Sequence, residues 1–221
     1  MTKVLIIGAH GKVGMLATRD LVAAGHDVAG AIRKPEQSDE LREAGAEPVV
    51  ADVENLSTDE LVDVVTGHDV VVWSAGAGGG SPERTNAVDR DAAIRTIDAA
   101  DRSDVAHFVM VSYFGAGPAH GVPPDNDFYT YAEAKTAADE HLAASSLGWT
   151  ILRPSSLTDE ASTGGIEVGD DVEASQVSRA TVAAVIGAVI NHPEATAQLT
   201  LAFNDGDRQV GDVIGVGHIR G

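Results

Sequence analysis

No cysteine occurs anywhere in the 221 residues, which excludes a disulfide framework, a thiol nucleophile and a zinc–thiolate site. No run of 18 apolar residues occurs, and the chain enters its first strand without a basic segment and apolar leader. A membrane span and a secretory signal are therefore not expected, and a cytoplasmic protein is. The eight histidines show neither H-x-x-x-H nor H-E-x-x-H spacing, so no metal site is predicted. No G-x-S-x-G elbow is present, which removes the support a Ser-His-Asp hydrolase would need.

Basic residues are scarce as well. Lys and Arg together number 15 against 34 Asp and Glu, a net charge of −19. Only four residues are lysine, namely Lys3, Lys12, Lys34 and Lys135. Nucleic acid is excluded as a partner on these grounds, because phosphate contacts need a basic face. The acid is spread over the whole chain rather than gathered in a tail. Such a coat resembles that of proteins from salt-loving organisms, where dense carboxylates maintain solubility in concentrated salt.

What the chain does have is a glycine-punctuated start. The apolar run Val4–Ile7 breaks into Gly8, Gly11 and Gly14, and an amphipathic segment follows at once. Strand, tight turn and helix start are the reading. Gly8 lets the chain reverse, Gly11 lets backbone approach a ligand, and Gly14 lets the helix lie close to the strand. His10, Lys12 and Val13 fill the turn and the first helical positions, and His10 faces either a phosphate or solvent. The helix N–H groups and dipole favour an anion above the turn, and a dinucleotide's pyrophosphate suits that place.

The remaining chain alternates. Strands are predicted at Val4–Ile7, Asp27–Ile32, Glu47–Val50, Val70–Trp73, Phe108–Val111, Thr150–Leu152 and Leu199–Phe203. Helices are predicted at about Lys12–Ala24, Glu36–Ala44, Thr58–Thr66, Glu83–Asp101, Tyr129–Ser146 and Ser178–His192. Loops are read at Gly76–Gly80 and Gly115–Asp127. This is an α/β chain: one Rossmann-type, doubly wound parallel sheet with helices on both faces, filling residues 1–221 as a single NAD(P)-binding domain. A small substrate-side extension is read from about residue 154 to 221. Trp73 and Trp149 are read as packing residues.

Ligands of such folds sit over the carboxyl ends of the strands. Strand two ends in Arg33-Lys34, where an NAD site would place an acid for the ribose hydroxyl. Two cations there suit a 2′-phosphate, so NADP is favoured, with NAD still possible. Strand four runs into Ser74-Ala75-Gly76, whose small side chains permit close backbone approach to the cofactor ribose. Ser112 ends strand five, and Tyr131 and Lys135 lie four residues apart on the next helix, on one face. An ammonium beside a phenol would stabilise phenolate and lower its pKa, making Tyr131 an acid/base for hydride chemistry.

On Gly8–Gly14, Asp52-Val53, His107–Ser112, Tyr131–Lys135, Ala138-Asp139-Glu140 and Thr150–Pro154, the chain resembles the short-chain dehydrogenase/reductase superfamily. It is most similar to the atypical NAD(P)H-binding branch that includes NmrA-like and flavin-reductase-like members. The resemblance implies that Asp52 and Val53 meet the adenine and that Lys135 bonds the nicotinamide ribose. It implies too that Arg153, Pro154 and Ser155 pass the nicotinamide, and that Ser178–Ala183 opens the last large helix. Two departures stand out. Tyr113 and Phe114 follow Ser112 where extended reductases carry further serines, and little chain separates Pro154 from Ser178. The function expected is an NADP(H)-dependent oxidoreductase acting on a small carbonyl, quinone or similar molecule, with Tyr131 as acid/base, Lys135 tuning it and Ser112 orienting the carbonyl. A non-catalytic NADP(H)-binding redox sensor and a nucleotide-sugar epimerase or dehydratase are the alternatives. The chain is read as a monomer or a homodimer.

Overall fold

A computed structural model of the chain describes residues 1–79, 81–169 and 171–215. Gly80, the end of the predicted glycine loop, and residues 170 and 216–221 of the predicted extension lie outside the described residues. In chain order the elements are β1 (Lys3–Ile7), α1 (Lys12–Ala23), β2 (Asp27–Ile32), a 3-10 turn (Pro35–Gln37), α2 (Ser38–Glu43), β3 (Glu47–Val50), α3 (Thr58–Val65) and β4 (Val70–Trp73). Next come α4 (Pro82–Thr85), a π-helical stretch (Asn86–Ala92), α5 (Ala93–Asp101), β5 (His107–Val111), α6 (Tyr129–Ala143), β6 (Gly148–Pro154), β7 (Ser156–Thr158) and β8 (Gly165–Val168). The chain continues through β9 (Gln176–Ser178), α7 (Arg179–Asn191), α8 (Pro193–Thr196), β10 (Leu199–Asp205), β11 (Arg208–Gln209) and α9 (Val210–Gly215).

Nine strands form the central sheet in the order β11-β8-β10-β6-β5-β4-β1-β2-β3. Each neighbouring pair from β3 across to β10 is parallel. The predicted doubly wound parallel sheet is present, and one edge adds antiparallel pairing that was not predicted, because β8 runs antiparallel to both β10 and β11. These edge strands are short and half polar, and their pairing depends on contacts far along the chain, so no local pattern marks them. A separate two-stranded sheet joins β7 to β9.

The apolar runs in the inner strands follow from helices covering both faces. In β1, Val4 and Ile6 point to the side packed by α1 and α7, whereas Leu5 and Ile7 point to the side packed by α3, α5 and α6. The same alternation holds in β4, where Val72 faces one layer and Trp73, fully buried, the other. Trp149 is buried in that second layer too. Both tryptophans are thus packing residues.

The order of strands places the site. From β1 the chain winds outward through β2 to β3, then returns to add β4 on the other side of β1. The loops after β1 and β4 therefore diverge to opposite faces and leave a crevice at the carboxyl ends of these strands.

Candidate functional site

The glycine turn after β1 is shaped by backbone contact. Gly8 has φ +83°, and a Cβ there would lie 2.7 Å from the backbone of Ala75. A side chain at residue 8 is thus barred twice, by conformation and by space. A Cβ on Gly14 would come 2.5 Å from the Gly8 carbonyl, so α1 sits directly against the turn. Gly11, the residue just before α1, has extended backbone and offers no capping side chain. The first turn of α1 holds no acid either. Uncapped N–H groups and the positive end of a helix dipole suit an anion.

Three cavities run along the carboxyl edge of the sheet from this turn. The first, of about 460 Å³, is lined by Gly8, His10, Gly11, Arg33, Asp52, Val53, Ser74, Ala75 and Gly76, with Gln37, Glu54 and Arg84. The second, of about 780 Å³, shares Gly11 and Ser74–Gly76 and adds Lys12, Val13, Asp89, Ser112, Tyr131, Lys135 and Arg179. The third, of about 440 Å³, shares Ser112 and Tyr131 and adds Tyr113, Phe114, Pro154 and Ser155. One groove thus brings together every sequence-predicted site residue except two. Gly14 is buried behind the turn, and Lys34 is exposed beyond the lining.

Most cations in the groove are engaged, Arg33 being the exception among the described residues. His10 accepts or donates at Gln37 (3.0 Å) and meets Glu40 at 3.3 Å. Lys12 pairs with Asp159 at 2.6 Å, and the same carboxylate holds Arg179 at 2.7 Å. Arg84, which sequence reading missed, enters the first cavity from α4 and lies 3.5 Å from Glu54. Its only sequence signal was a basic residue just after the glycine loop. Arg33 lines the same cavity with no ion pair among the described residues.

At the far end, α6 carries Tyr131 and Lys135 toward β5. Lys135 is 1% exposed and donates to the Val111 carbonyl at 2.9 Å. Burial pulls its pKa down, while Asp139 and Asp89 act to hold the charge. Tyr131 differs from expectation. Its pKa is raised, first by burial and then by the negative charges of Asp89 and Asp139, with Tyr113 adding a smaller push. The predicted lowering by Lys135 is therefore corrected: the ammonium is spent on Val111, and the carboxylates nearby favour a neutral phenol.

Asp89 comes from the π-helical stretch, is 1% exposed and accepts the Ala77 N–H at 3.0 Å. Burial raises its pKa, against Ala77, Lys135 and Arg84. Such stretches mark functional sites often enough to be informative. Here the wider turn aims a carboxylate under the β4 loop. Asp139, also 1% exposed, accepts from Ser112 Oγ at 2.9 Å and from Arg153 at 3.1 and 3.2 Å. Ser155 is committed as well, donating to Asn204 at 2.6 Å. Neither Asp89 nor the partner role of Asp139 was legible, because a buried acid in a helix looks like a surface one until the packing is known. Among the described residues no cluster of three or more metal-ligating side chains occurs, and no helix is long and apolar enough to cross a membrane.

A family model described as NAD(P)H-binding matches residues 8–193 of this chain. A Bacillus subtilis protein called an uncharacterized sugar epimerase, YhfK, is 34% identical over 215 residues, covering 96% of this chain and 98% of its own. Among solved structures, a Bacillus halodurans protein provisionally described as an NAD-dependent epimerase/dehydratase superposes with a TM-score of 0.89 at 32% identity, covering 97% of this chain and 99% of that one. ChuY, an anaerobillin reductase from Escherichia coli O157:H7, superposes with a TM-score of 0.77 at 25% identity, covering 94% of this chain and 99% of its own.

Proposed function

This chain belongs to the NAD(P)H-binding family, and from that membership we propose that it is an NADP(H)-dependent reductase in which Tyr131 donates the proton. The observation that carries the reading is the position of Tyr131. Its side chain lines both the cavity reached from the glycine turn and the cavity beyond it, so one phenol borders the cofactor side and the substrate side together.

The residues present fit a dinucleotide. The uncapped start of α1 and the tight turn at Gly8, which packs on the backbone of Ala75, suit a diphosphate. Arg33 would meet a 2′-phosphate, Asp52 and Val53 the adenine, and Ser74–Gly76 the adjoining ribose. Lys12 and Arg179 flank the diphosphate position. When bound, the reduced cofactor supplies hydride.

The protein's own part is positioning and proton supply. Burial and two carboxylates keep Tyr131 protonated, which suits an acid in the reducing direction. Lys135, fixed on Val111, places positive charge at the base of the site and offsets Asp89 and Asp139. Ser112 has one hydroxyl proton and gives it to Asp139, so it presents lone pairs to the groove. It would orient a bound hydroxyl rather than donate to a carbonyl, which revises its expected role.

The test is NADPH consumption with a panel of carbonyls and quinones, measured beside NADPH binding. Turnover that collapses in Tyr131→Phe while binding persists supports the reductase. Tight NADPH binding with no turnover on any substrate supports the redox sensor instead. Interconversion of nucleotide sugars without net consumption of NADPH supports an epimerase.

A further inference from the structure

Resting on that reading of the site as a reductase, we propose that its substrate is an uncharged, flat, conjugated carbonyl compound that lies against the wall formed by Tyr113, Phe128 and Tyr131. The wall is continuous. Ring centroids are 5.1 Å apart for Tyr113 and Phe128, 5.5 Å for Tyr113 and Tyr131, and 5.1 Å for Phe128 and Tyr131. With Tyr113 and Phe128 edge to face at 89° and Tyr131 tilted by 46° and 50° to them, the rings pack on one another as a single aromatic patch. Phe128 is 43% exposed, and Leu157, which lines the same cavity, is 39% exposed, although large apolar side chains elsewhere in the described chain are mostly buried. Their exposure leaves a slot with apolar sides.

Charge narrows the ligand further. Among the described residues, the lining of the substrate-side cavity is Ser, Tyr, Phe, Pro, Leu and Ala, with no ionisable acid or base other than the phenols. The nearby cations have partners: Arg153 is held by Asp139, and Lys12 and Arg179 share Asp159. A phosphorylated or carboxylated substrate would enter this cavity without a counter-charge, from the surroundings of a protein of net charge −19. A nucleotide sugar, with its diphosphate and ring of hydroxyls, is the ligand least suited to it.

The chemistry balances as a two-electron reduction. A bound reduced nicotinamide would supply the hydride to the substrate's carbonyl carbon, the carbonyl π pair would move onto oxygen, and the Tyr131 hydroxyl would supply the proton. Water returns a proton to Tyr131, and the alcohol leaves.

Equilibrium titration of the NADP⁺-loaded protein separates the possibilities without needing turnover. The probes are 1,4-naphthoquinone, its 2-sulfonate and UDP-glucose. The neutral quinone should bind about tenfold or more tightly than the sulfonate, with UDP-glucose weaker than both. Ser156 is exposed and lines only the substrate-side cavity. Ser156→Arg should shift the ratio of sulfonate to quinone affinity about tenfold toward the sulfonate, because it adds the missing counter-charge. Equal or tighter binding of the sulfonate or UDP-glucose to the wild type would overturn the proposal, as would a Ser156→Arg variant with no effect on that ratio. Failure to bind NADP⁺ at all counts against the reductase reading itself, and the quinone and sulfonate titrated into the cofactor-free protein still decide the ligand class.

Discussion

Ser112 donates its hydroxyl to Asp139 at 2.9 Å, and Arg153 grips the same carboxylate oxygen from the other side at 3.1 Å. The end of β5, the middle of α6 and the end of β6 are thereby tied at one buried point. A carboxylate shared by a hydroxyl and a guanidinium is charge-assisted on both sides. Burial nonetheless raises the Asp139 pKa, with Lys135, Arg153 and Ser112 pulling it back.

Asp139→Ala removes the carboxylate and leaves Arg153 without a partner. Breaking a pair of this kind costs about 3 kcal/mol. Urea unfolding should show that loss, with Asp139→Asn intermediate because its amide oxygen can still accept from Ser112. A midpoint unchanged in Asp139→Ala would mean that the network carries no stability.

Cofactor preference should follow Arg33. NADPH should bind more tightly than NADH by about tenfold to a hundredfold, the worth of charge-assisted bonds to a 2′-phosphate. Arg33→Ala should remove most of that gap, leaving a remainder to Arg84 in the same cavity. Dissociation constants by fluorescence titration check this, and equal values for the two cofactors in the wild type would refute it.

His107 should impart an acid limit to stability. It is buried between β5 and β6, contacts Thr150 Oγ1 at 2.9 Å, and burial lowers its pKa to about 4. Thr150 gives its own hydroxyl proton to the Thr196 carbonyl, so the imidazole Nε2–H donates to Thr150, and burial favours the neutral ring. The fold thus binds this proton less readily than the unfolded chain. Its contribution is complete above the unfolded value near 6.5 and fades as pH falls toward 4, a span worth about 3 kcal/mol. Asp89 and Asp139, whose pKa values are raised, act in the opposite sense, so the wild type alone does not isolate the effect. The difference between wild type and His107→Gln does, and it should narrow as the medium is acidified.

The carboxylate coat should make stability salt-dependent. If self-repulsion among 34 acids against 15 bases opposes the fold, Tm should climb as KCl rises from about 0.1 M to molar levels. A flat profile in a thermal melt would assign the charge to ordinary solubility.

What the sequence made legible was local. Val4–Ile7 and Gly8 announce strand and turn because an unbroken apolar run and a glycine able to take a positive φ stand in adjacent residues. The cation at Arg33 stood out against an acidic chain. What stayed hidden depends on distance. β8 pairs with β10 only once residues some forty apart meet, and Asp89 becomes a buried acid only where the π turn rotates it under Ala77. The Tyr131 pKa was misjudged for the same reason: spacing four residues apart on α6 puts Lys135 on the right face, but the Val111 carbonyl takes its ammonium, and burial decides the sign.

Tyr131→Phe offers the sharpest test of proton donation by a neutral phenol. With a substrate in hand, turnover should fall by about 10²–10⁴ while the NADPH dissociation constant stays within about twofold. Because the phenol titrates above its ordinary value of 10, wild-type reduction should not weaken as pH rises from neutrality toward 10. Full activity in the variant, or a wild-type rate that falls well below pH 10 with the loss of one proton from this phenol, would contradict it.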